Sequence, residues 1–118
     1  MLERKLFRAP CAMEHLARDH ELTQERSLLE RAQKGDLAAY DALVRAYETL
    51  AFRAAYLITR AEHKAADAAQ DAFVRAYHAL HSFRLSEPFP LWLLRIVTNQ
   101  ALNRLQANKR RAQRNFRI

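Results

Sequence analysis

Residues 37–60, LAAYDALVRAYETLAFRAAYLITR, carry the strongest helical pattern in the chain. Their apolar side chains recur every three or four residues, the spacing that places side chains on one face of an α-helix. Asp36 can cap this helix, and Gly35 suits the left-handed end of a preceding helix that begins near Thr23. The stretch therefore predicts a helix over residues 37–60 with this apolar stripe: Leu37, Tyr40, Leu43, Val44, Tyr47, Leu50, Ala51, Ala54, Leu57 and Ile58.

Two further helices are predicted after this one. Residues 63–82 hold a shorter stripe, which is then interrupted at SFRLSEPFP because each of its two prolines removes a backbone donor. A fourth helix is predicted from near Pro90, a residue tolerated in a first turn, through LWLLRIVTNQALNRLQANKRR. The stripe of the third helix consists of Ala69, Phe73, Ala76, Tyr77 and Leu80.

Four helices with short connections predict an all-α fold, a compact helical bundle without a β-sheet. The 118 residues suffice for one domain with a modest core, and a single Gly with three Pro leaves few turn-forming residues for strands. We predict the helical domain at residues 21–111. A flexible or marginally ordered segment, residues 1–20, precedes it, and a basic tail, residues 112–118, follows it.

The cysteine and hydropathy patterns bear on the compartment. Cys11 is the only cysteine, so no intrachain disulfide can form and a reducing compartment is favoured. No apolar run approaches the length of a membrane span, and the N-terminal stretch MLERKLFRAPCAMEHL lacks the long apolar centre of a secretory signal. We therefore predict a soluble cytoplasmic protein without a membrane span.

The positive charge is concentrated at one end of the chain. The net charge is +7, Glu87 is the last acidic residue, and seven cations follow it, so the remaining 20 − 7 = 13 cations balance the 13 acids. A segment with this excess suits a phosphate backbone or an acidic surface. The alternative is a basic tail that only aids solubility.

One face of the predicted fourth helix is unusual for a solvent-exposed surface. It has no acid, one Trp and several amides, and amides and Arg can hydrogen-bond to base edges. The face therefore favours nucleic-acid binding, although Trp92 alone is better explained as a core residue. Its members are Trp92, Arg95, Asn99, Asn103 and Gln106, and the opposite, core-facing stripe is predicted to be Leu94, Val97, Ala101 and Leu105.

The third helix carries a compact acidic face. Spacing places Asp67, Gln70, Asp71 and Val74 together, and the sequence offers no cation in reach before Arg75. Two carboxylates and an amide around an aliphatic centre can receive Arg or Lys from a partner protein. The alternative is an ordinary charged, solvated face.

No catalytic or metal-binding motif is found in the sequence. A phosphate-cradling Gly loop, a nucleophile elbow and paired cysteines are all absent. His78 with His81, and Cys11 with His15 and His20, do not complete a ligand set. We predict a non-enzymatic protein with no cofactor and no metal.

Three stretches together resemble a known family: AQKGDLAAYDALVRAYETLAFRAAYLITR, then AADAAQDAFVRAYHALHSFR, then FPLWLLRIVTNQALNRL. They are similar, across about residues 28–111, to region 2 of bacterial sigma factors of the extracytoplasmic-function (ECF) type within the sigma-70 family. The most specific parts are D-x-x-Q-[DE]-x-F, from Asp67 to Phe73, and W-L-x-R-I-x-x-N, from Trp92 to Asn99.

The resemblance implies a role in transcription initiation. It implies that Asp67, Gln70 and Asp71, with Val74 on the same patch, dock on the clamp helices of the RNA polymerase beta-prime subunit. The loop RLSEPF would hold a base flipped out of the promoter −10 element, the last helix would hold the melted strand, and an anti-sigma factor is a further expected partner. The expected DNA-binding residues are Arg84, Ser86, Phe89, Trp92, Arg95, Asn99, Asn103, Arg104, Lys109 and Arg110.

The chain departs from the family pattern at several positions. Ala66 replaces an acid, Ala68 and Ala69 replace bulkier aliphatics, Leu85 stands where Gly is frequent, and the Gly common between the second and third helices is absent. The 118 residues also end without the helical domain that recognises the −35 element, so we expect either a fragment or a region-2-only relative.

Two other functions are compatible with the sequence. The first is a sigma-like interaction protein that binds polymerase or a regulator through the Asp67 face without initiating transcription. The second is an unrelated basic helical nucleic-acid binder, which predicts binding to DNA or RNA that is indifferent to the Asp67 face.

Overall fold

The computed structural model describes residues 24–117. The predicted marginal segment, with Cys11, His15 and His20, therefore lies outside the described residues. Within residues 24–117 the regular structure is helical and no strand occurs, which confirms the all-α prediction. The elements are α1 (24–33), α2 (Leu37–Thr59), α3 (Glu62–Ala79), a 3₁₀ turn (Leu80–Ser82) and α4 (Phe89–Arg117).

The junction between α1 and α2 forms as the sequence predicts. Gly35 adopts a φ of 98°, and Asp36 caps α2 by accepting a hydrogen bond from the Ala39 N–H at 3.2 Å. The Arg31 guanidinium donates to the same carboxylate at 2.8 Å. This hydrogen bond, together with that from Ala39, lowers the pKa of Asp36, so the cap remains ionised. The turn thereby fixes where α2 begins.

The junction between α2 and α3 differs from that between α1 and α2, because Arg60 and not a glycine occupies the left-handed position after α2. Its φ is 57°, and its N–H donates to the Tyr56 carbonyl at 2.8 Å, closing the last turn of α2. This is the connection in which the sequence lacks the expected Gly. A side chain with a Cβ is held in a conformation that Gly adopts without penalty.

We expect Arg60→Gly to stabilise the chain by about 1 kcal/mol, because it removes the Cβ clash of the left-handed conformation. Thermal unfolding followed by circular dichroism measures the change. Arg60→Ala is the matched control, since it removes the same charge and retains the Cβ. A gain of equal size in both variants would show that the charge, and not the backbone, is responsible.

The centre of the bundle is built from alanines. Fully buried alanines of α3 recur at helical spacing, and α2, which packs against α3, contributes further buried alanines to the same core. Small side chains allow two helices to approach closely. The buried face of α3 is therefore centred on Ala65, Ala68, Ala72 and Ala76, whereas Phe73 and Tyr77, predicted for the core stripe, are only partly buried.

The connection from α3 to α4 is anchored on α1. The Gln33 side-chain amide donates to the carbonyls of Leu80 and Phe83, at 3.0 and 2.9 Å. These bonds satisfy two carbonyls at a point where the helical pattern is interrupted. Helix α4 then begins at Phe89, so that Pro90 lies in its first turn as predicted. Residues 83–88, between the 3₁₀ turn and α4, are called the 83–88 loop below.

Helix α4 packs against both α2 and α3, but with a different rotation from the predicted one. Leu93, Val97 and Ala101 are fully buried, and Gln100 is nearly so. Leu94 and Leu105, predicted for the core, are only partly buried. The helix continues through Arg117, so residues 112–117, expected as a basic tail, form its last turns. No helix within residues 24–117 combines the length and apolarity needed to cross a membrane.

Candidate functional site

The structure brings Asp67, Gln70, Asp71 and Val74 together on one side of α3, as their spacing predicts. We call these four residues the α3 patch. Gln70 is exposed, 54% of Val74 is exposed, and the side chains of Asp67 and Asp71 are partly accessible. The patch is therefore a surface that a partner can contact.

The two carboxylates of the α3 patch are not without a cation, and in this respect the prediction was wrong. Arg104 of α4 reaches across, with Nη1 3.5 Å from Asp67 Oδ2 and Nη2 bonded to Asp71 Oδ2. His63, one turn before Asp67, places Nε2 3.4 Å from the same carboxylate. Arg104 was predicted as a DNA contact, and the structure places it between α3 and α4.

An apolar groove of about 700 Å³ extends the α3 patch towards α2. Gln70 and Val74 form part of its wall, and Ala66 and Ala69, whose side chains are small, leave it open. The sequence indicated the apolar residues of α2 but not that many of them would remain uncovered. The other residues lining the groove are Leu37, Tyr40, Val44, Glu48, Thr49, Phe52, Phe73 and Tyr77.

Tyr40 closes the base of this groove. Its hydroxyl donates to the Phe73 carbonyl of α3, and its ring lies 5.0 Å from that of Tyr77. Burial raises the pKa of the Tyr40 phenol, so the hydroxyl stays protonated and remains a donor. This bond ties α2 to α3 beneath the groove.

The second surface lies along α4. Arg95, Asn99, Asn103 and Gln106 are exposed, as predicted for a nucleic-acid face. Trp92 instead packs against the core, with its ring 5.0 Å from Phe83. This agrees with the interpretation of Trp92 alone as a core residue. We call the four exposed residues the α4 face.

A shallow depression of about 440 Å³ lies at the start of the α4 face. Its lining combines Arg95 and Asn99 with residues that the sequence did not single out for binding: Leu91, Leu94 and Thr98. Apolar side chains beside an amide and a guanidinium can contact the flat face and the polar edge of a base.

The 83–88 loop exposes Arg84 and Ser86, two of the predicted DNA contacts, but Phe89, which follows the loop, is only 2% exposed. Phe89 was predicted as a DNA contact, and its burial instead makes it a support for the loop. Its ring lies 5.4 Å from that of Tyr47 and 5.7 Å from that of Phe83.

Helix α1 also takes part in supporting this loop, which the sequence did not indicate. The Tyr47 hydroxyl donates to the Glu25 carboxylate, and burial together with this bond raises the pKa of Tyr47. A cleft of about 300 Å³ separates α1 from the loop, and its lining includes Arg26 and Ser86. The loop is thus supported by packed aromatic side chains, while Arg84 and Ser86 stay accessible.

The far part of α4 is strongly basic. Lys109 and Arg110 are exposed, as is Arg111, and the sequence has no acid after Glu87. Among residues 24–117 no group of three or more His, Cys, Asp or Glu side chains is arranged to hold a metal ion. The described surfaces offer means of binding a partner protein and an anionic polymer.

Comparison with known families gives one match to a family model. The model described as Sigma-70 region 2 matches residues 43–111, from the middle of α2 into the basic part of α4. The matched range includes the α3 patch, the 83–88 loop and the α4 face.

Curated proteins with similar sequences include three sigma factors. The RNA polymerase sigma-H factor of Pseudomonas aeruginosa strain PAO1 is 44% identical over 91 residues, 75% of this chain and 46% of the relative. The ECF RNA polymerase sigma-E factor of Escherichia coli K12 is 43% identical, covering 71% and 44%. SigW of Bacillus subtilis strain 168 is 35% identical, covering 69% and 43%. The chain spans about half the length of the curated relatives it matches.

Solved structures that are similar in fold and sequence include the following two. An engineered region 2 of sigmaE, solved by NMR in complex with GTAAAA, has a TM-score of 0.70 and 38% identity, covering 74% of this chain and 90% of that one. CnrH in complex with the cytosolic domain of CnrY has a TM-score of 0.63 and 34% identity, covering 68% and 52%.

Proposed function

The chain belongs to the Sigma-70 region 2 family, and from this membership we propose that it acts as the region 2 domain of an ECF-type transcription initiation factor. In this proposal the α3 patch docks on the beta-prime clamp helices of core RNA polymerase. The α4 face and the 83–88 loop hold the melted −10 element of the promoter. The protein would act where polymerase and promoter DNA meet, in the cytoplasm.

The α3 patch and its groove support a helical protein partner. Asp67 and Asp71 can accept hydrogen bonds from Arg or Lys, and the adjoining groove of about 700 Å³ can receive apolar side chains. A helix that carries a basic and an apolar side offers both. This combination fits the polymerase clamp helices that the family is expected to bind.

The α4 face supports a nucleic-acid strand. Its exposed side chains are amides and a guanidinium, and the basic residues Lys109 and Arg110 continue the same helix. Amides can bond to base edges, while cations neutralise phosphates. The related sigmaE region 2 is in complex with GTAAAA, which supports a ligand of this kind here.

A regulatory partner is a further part of the proposal. The solved complex of the similar protein CnrH with the cytosolic domain of CnrY supports a protein partner that binds this domain as well. A partner of the anti-sigma type that entered the groove beside Val74 would occupy the surface assigned to polymerase. Such a partner would therefore compete with polymerase.

The segregation of the two surfaces is the observation that carries the proposal. The exposed acids of α3 lie beside an apolar groove, whereas every charged residue after Glu87 is a cation. A protein that needed only solubility would mix both signs over its surface. Here one helix suits a basic protein partner and the next suits an anionic strand.

A reciprocal pair of amide-to-alanine variants tests this division. We expect Asn99→Ala to weaken binding of a fluorescent single strand containing GTAAAA by about 10-fold, because one base-edge contact is worth about 1–3 kcal/mol. Retention by core polymerase should not change. Gln70→Ala is the matched variant on the α3 patch, and we expect it to weaken retention by polymerase while leaving strand binding intact.

Both measurements use the 118-residue chain, with strand binding followed by fluorescence anisotropy and retention followed by co-purification with core polymerase. Circular dichroism establishes that each variant is folded. Equal losses of strand binding in the two variants would contradict the assignment of separate surfaces. Unchanged strand binding in Asn99→Ala would contradict the role of the α4 face.

A further inference from the structure

Arg104 links the two proposed surfaces directly. It lies on α4 one residue after Asn103 of the α4 face, and its guanidinium contacts both carboxylates of the α3 patch. Its side chain is 35% exposed, and its Nε is buried without a hydrogen-bond partner among the described residues. The residue is therefore held by its two Nη groups, each bound to a carboxylate that a partner protein can also reach.

A second set of charges surrounds the same guanidinium. A cleft of about 280 Å³ between α3 and α4 is lined by Lys64, Arg104 and Arg111, together with His63 and Asp67. Arg111 follows Arg104 by two helical turns and so lies on the same side of α4. If Asp67 and Asp71 were neutralised, three cations would remain around this cleft, an arrangement that attracts a phosphate.

We propose that Arg104 is a positioning residue that exchanges between two anionic partners, the carboxylates of the α3 patch and a phosphate of a bound strand. In the free domain it pairs with Asp67 and Asp71. When cations of a partner protein occupy those carboxylates, like charges repel Arg104, and it turns to a phosphate of the bound strand beside Lys64 and Arg111. This inference rests on the proposed function, because it requires both a cationic partner and a nucleic acid.

The exchange makes the two binding events favour each other. A partner on the α3 patch frees one phosphate contact, and by thermodynamic linkage a bound strand raises the affinity for the partner by the same factor. The expected factor is about 5-fold at low salt, at the lower end of typical coupling between two sites. Each additional phosphate contact on a single strand also steepens the dependence of log K on log salt by about 0.7.

A double-mutant cycle on the 118-residue chain without polymerase tests the exchange. Asp67→Asn/Asp71→Asn stands for the occupied α3 patch, and it is made in the native and in the Arg104→Gln background. The probe is a fluorescent single strand containing GTAAAA, titrated at several salt concentrations. In the native background we expect Asp67→Asn/Asp71→Asn to raise the affinity for the strand about 10-fold. The slope of log K against log salt should steepen by about 0.7.

In the Arg104→Gln background we expect Asp67→Asn/Asp71→Asn to raise the affinity for the strand only slightly and to leave its salt dependence unchanged. Asp41→Asn/Glu62→Gln is the control for net charge, because it removes two exposed acids that do not contact Arg104. This control should give the same small gain, about 2-fold to 3-fold, in both backgrounds. The exchange would be overturned if Asp67→Asn/Asp71→Asn raised the strand affinity and changed the salt slope equally in the native and Arg104→Gln backgrounds.

Arg104→Lys provides an independent check that does not require removal of the charge. A lysine is a compact charge that cannot bridge two carboxylates in the planar manner of Arg. We expect this variant to bind the strand more tightly than the native chain does. Adding Asp67→Asn/Asp71→Asn should then raise its strand affinity less than it raises that of the native chain. Weaker binding with an undiminished gain would overturn the exchange.

The same titrations separate this inference from the proposed function. Failure of the native chain to bind the strand at 50 mM salt would contradict the nucleic-acid part of the proposed function, and the exchange would fail with it. Strand binding by the native chain without coupling to Arg104 would overturn the exchange alone.

Discussion

Reversing both carboxylates of the α3 patch, in Asp67→Arg/Asp71→Arg, is expected to abolish retention of the chain by core RNA polymerase. The loss should be about 100-fold or more, since breaking a desolvated charge pair at an interface costs about 2–5 kcal/mol and like charges then repel the partner. Co-purification with core polymerase at increasing chain concentration measures it. Binding of a single strand should not fall, because the change adds positive charge beside α4.

The same reversal places two new cations beside Arg104, so folding must be controlled. The triple variant Asp67→Arg/Asp71→Arg/Arg104→Asp restores an internal pair of opposite charges between α3 and α4. We expect it to recover the unfolding temperature lost by the double variant and still not to bind polymerase. Recovery of polymerase binding in the triple variant would show that the double variant fails through instability and not through the α3 patch.

Undiminished retention of the double variant would contradict two functions at once. Both an initiating factor and a non-initiating polymerase-binding protein require the Asp67 face. An unrelated basic nucleic-acid binder would be indifferent to the change. Asn99→Ala distinguishes the two polymerase-binding functions, because only the initiating factor needs Asn99 for selective binding of the −10 strand.

The α3 patch could be predicted from the sequence because it lies within one helix. Residues three and four apart share a helical face, so the spacing of Asp67, Gln70 and Asp71 was sufficient. The Arg104 pair could not be predicted in this way, since 33 residues separate Arg104 from Asp71. Helical periodicity fixes which residues of one helix are neighbours, but it does not fix how that helix is rotated against another.

The groove was missed for a related reason. Most of its apolar residues belong to the stripes predicted for α2 and α3, and a stripe is ordinarily taken as core. Leu37 is 65% exposed, so here the stripe is wider than the area that α3 and α4 cover. Ala66, which replaces an acid, and Ala69, which replaces a bulkier aliphatic, have a consequence in the structure, because their small side chains leave the groove open.

The helices themselves followed from local chemistry. Asp36 and Gly35 fixed one junction, and Pro90 fixed the start of α4 to within a residue. The family resemblance, which rested on three stretches with two short motifs as their most specific parts, is confirmed by the match over residues 43–111. The rotation of α4 was wrong because apolar residues occur on several of its sides, so the period alone allowed more than one core face.

The rotation of α4 is tested most directly by Leu93→Ala. Leu93 is fully buried in the hydrophobic core, to which Phe83 and Phe89 also belong. Removing a buried leucine side chain loses its transfer free energy and leaves a cavity. We expect a loss of about 2–5 kcal/mol in the free energy of unfolding, measured by urea denaturation.

Leu94→Ala is the matched control, because the same atoms are removed one residue further along. Leu94 is only partly buried and lines the depression of the α4 face, so its loss should cost about 1 kcal/mol or less. The reverse order of costs would place Leu94 in the core and turn α4 by about 100°. Arg95 and Asn99 would then face elsewhere, so this pair of stability measurements also tests the orientation on which strand binding depends.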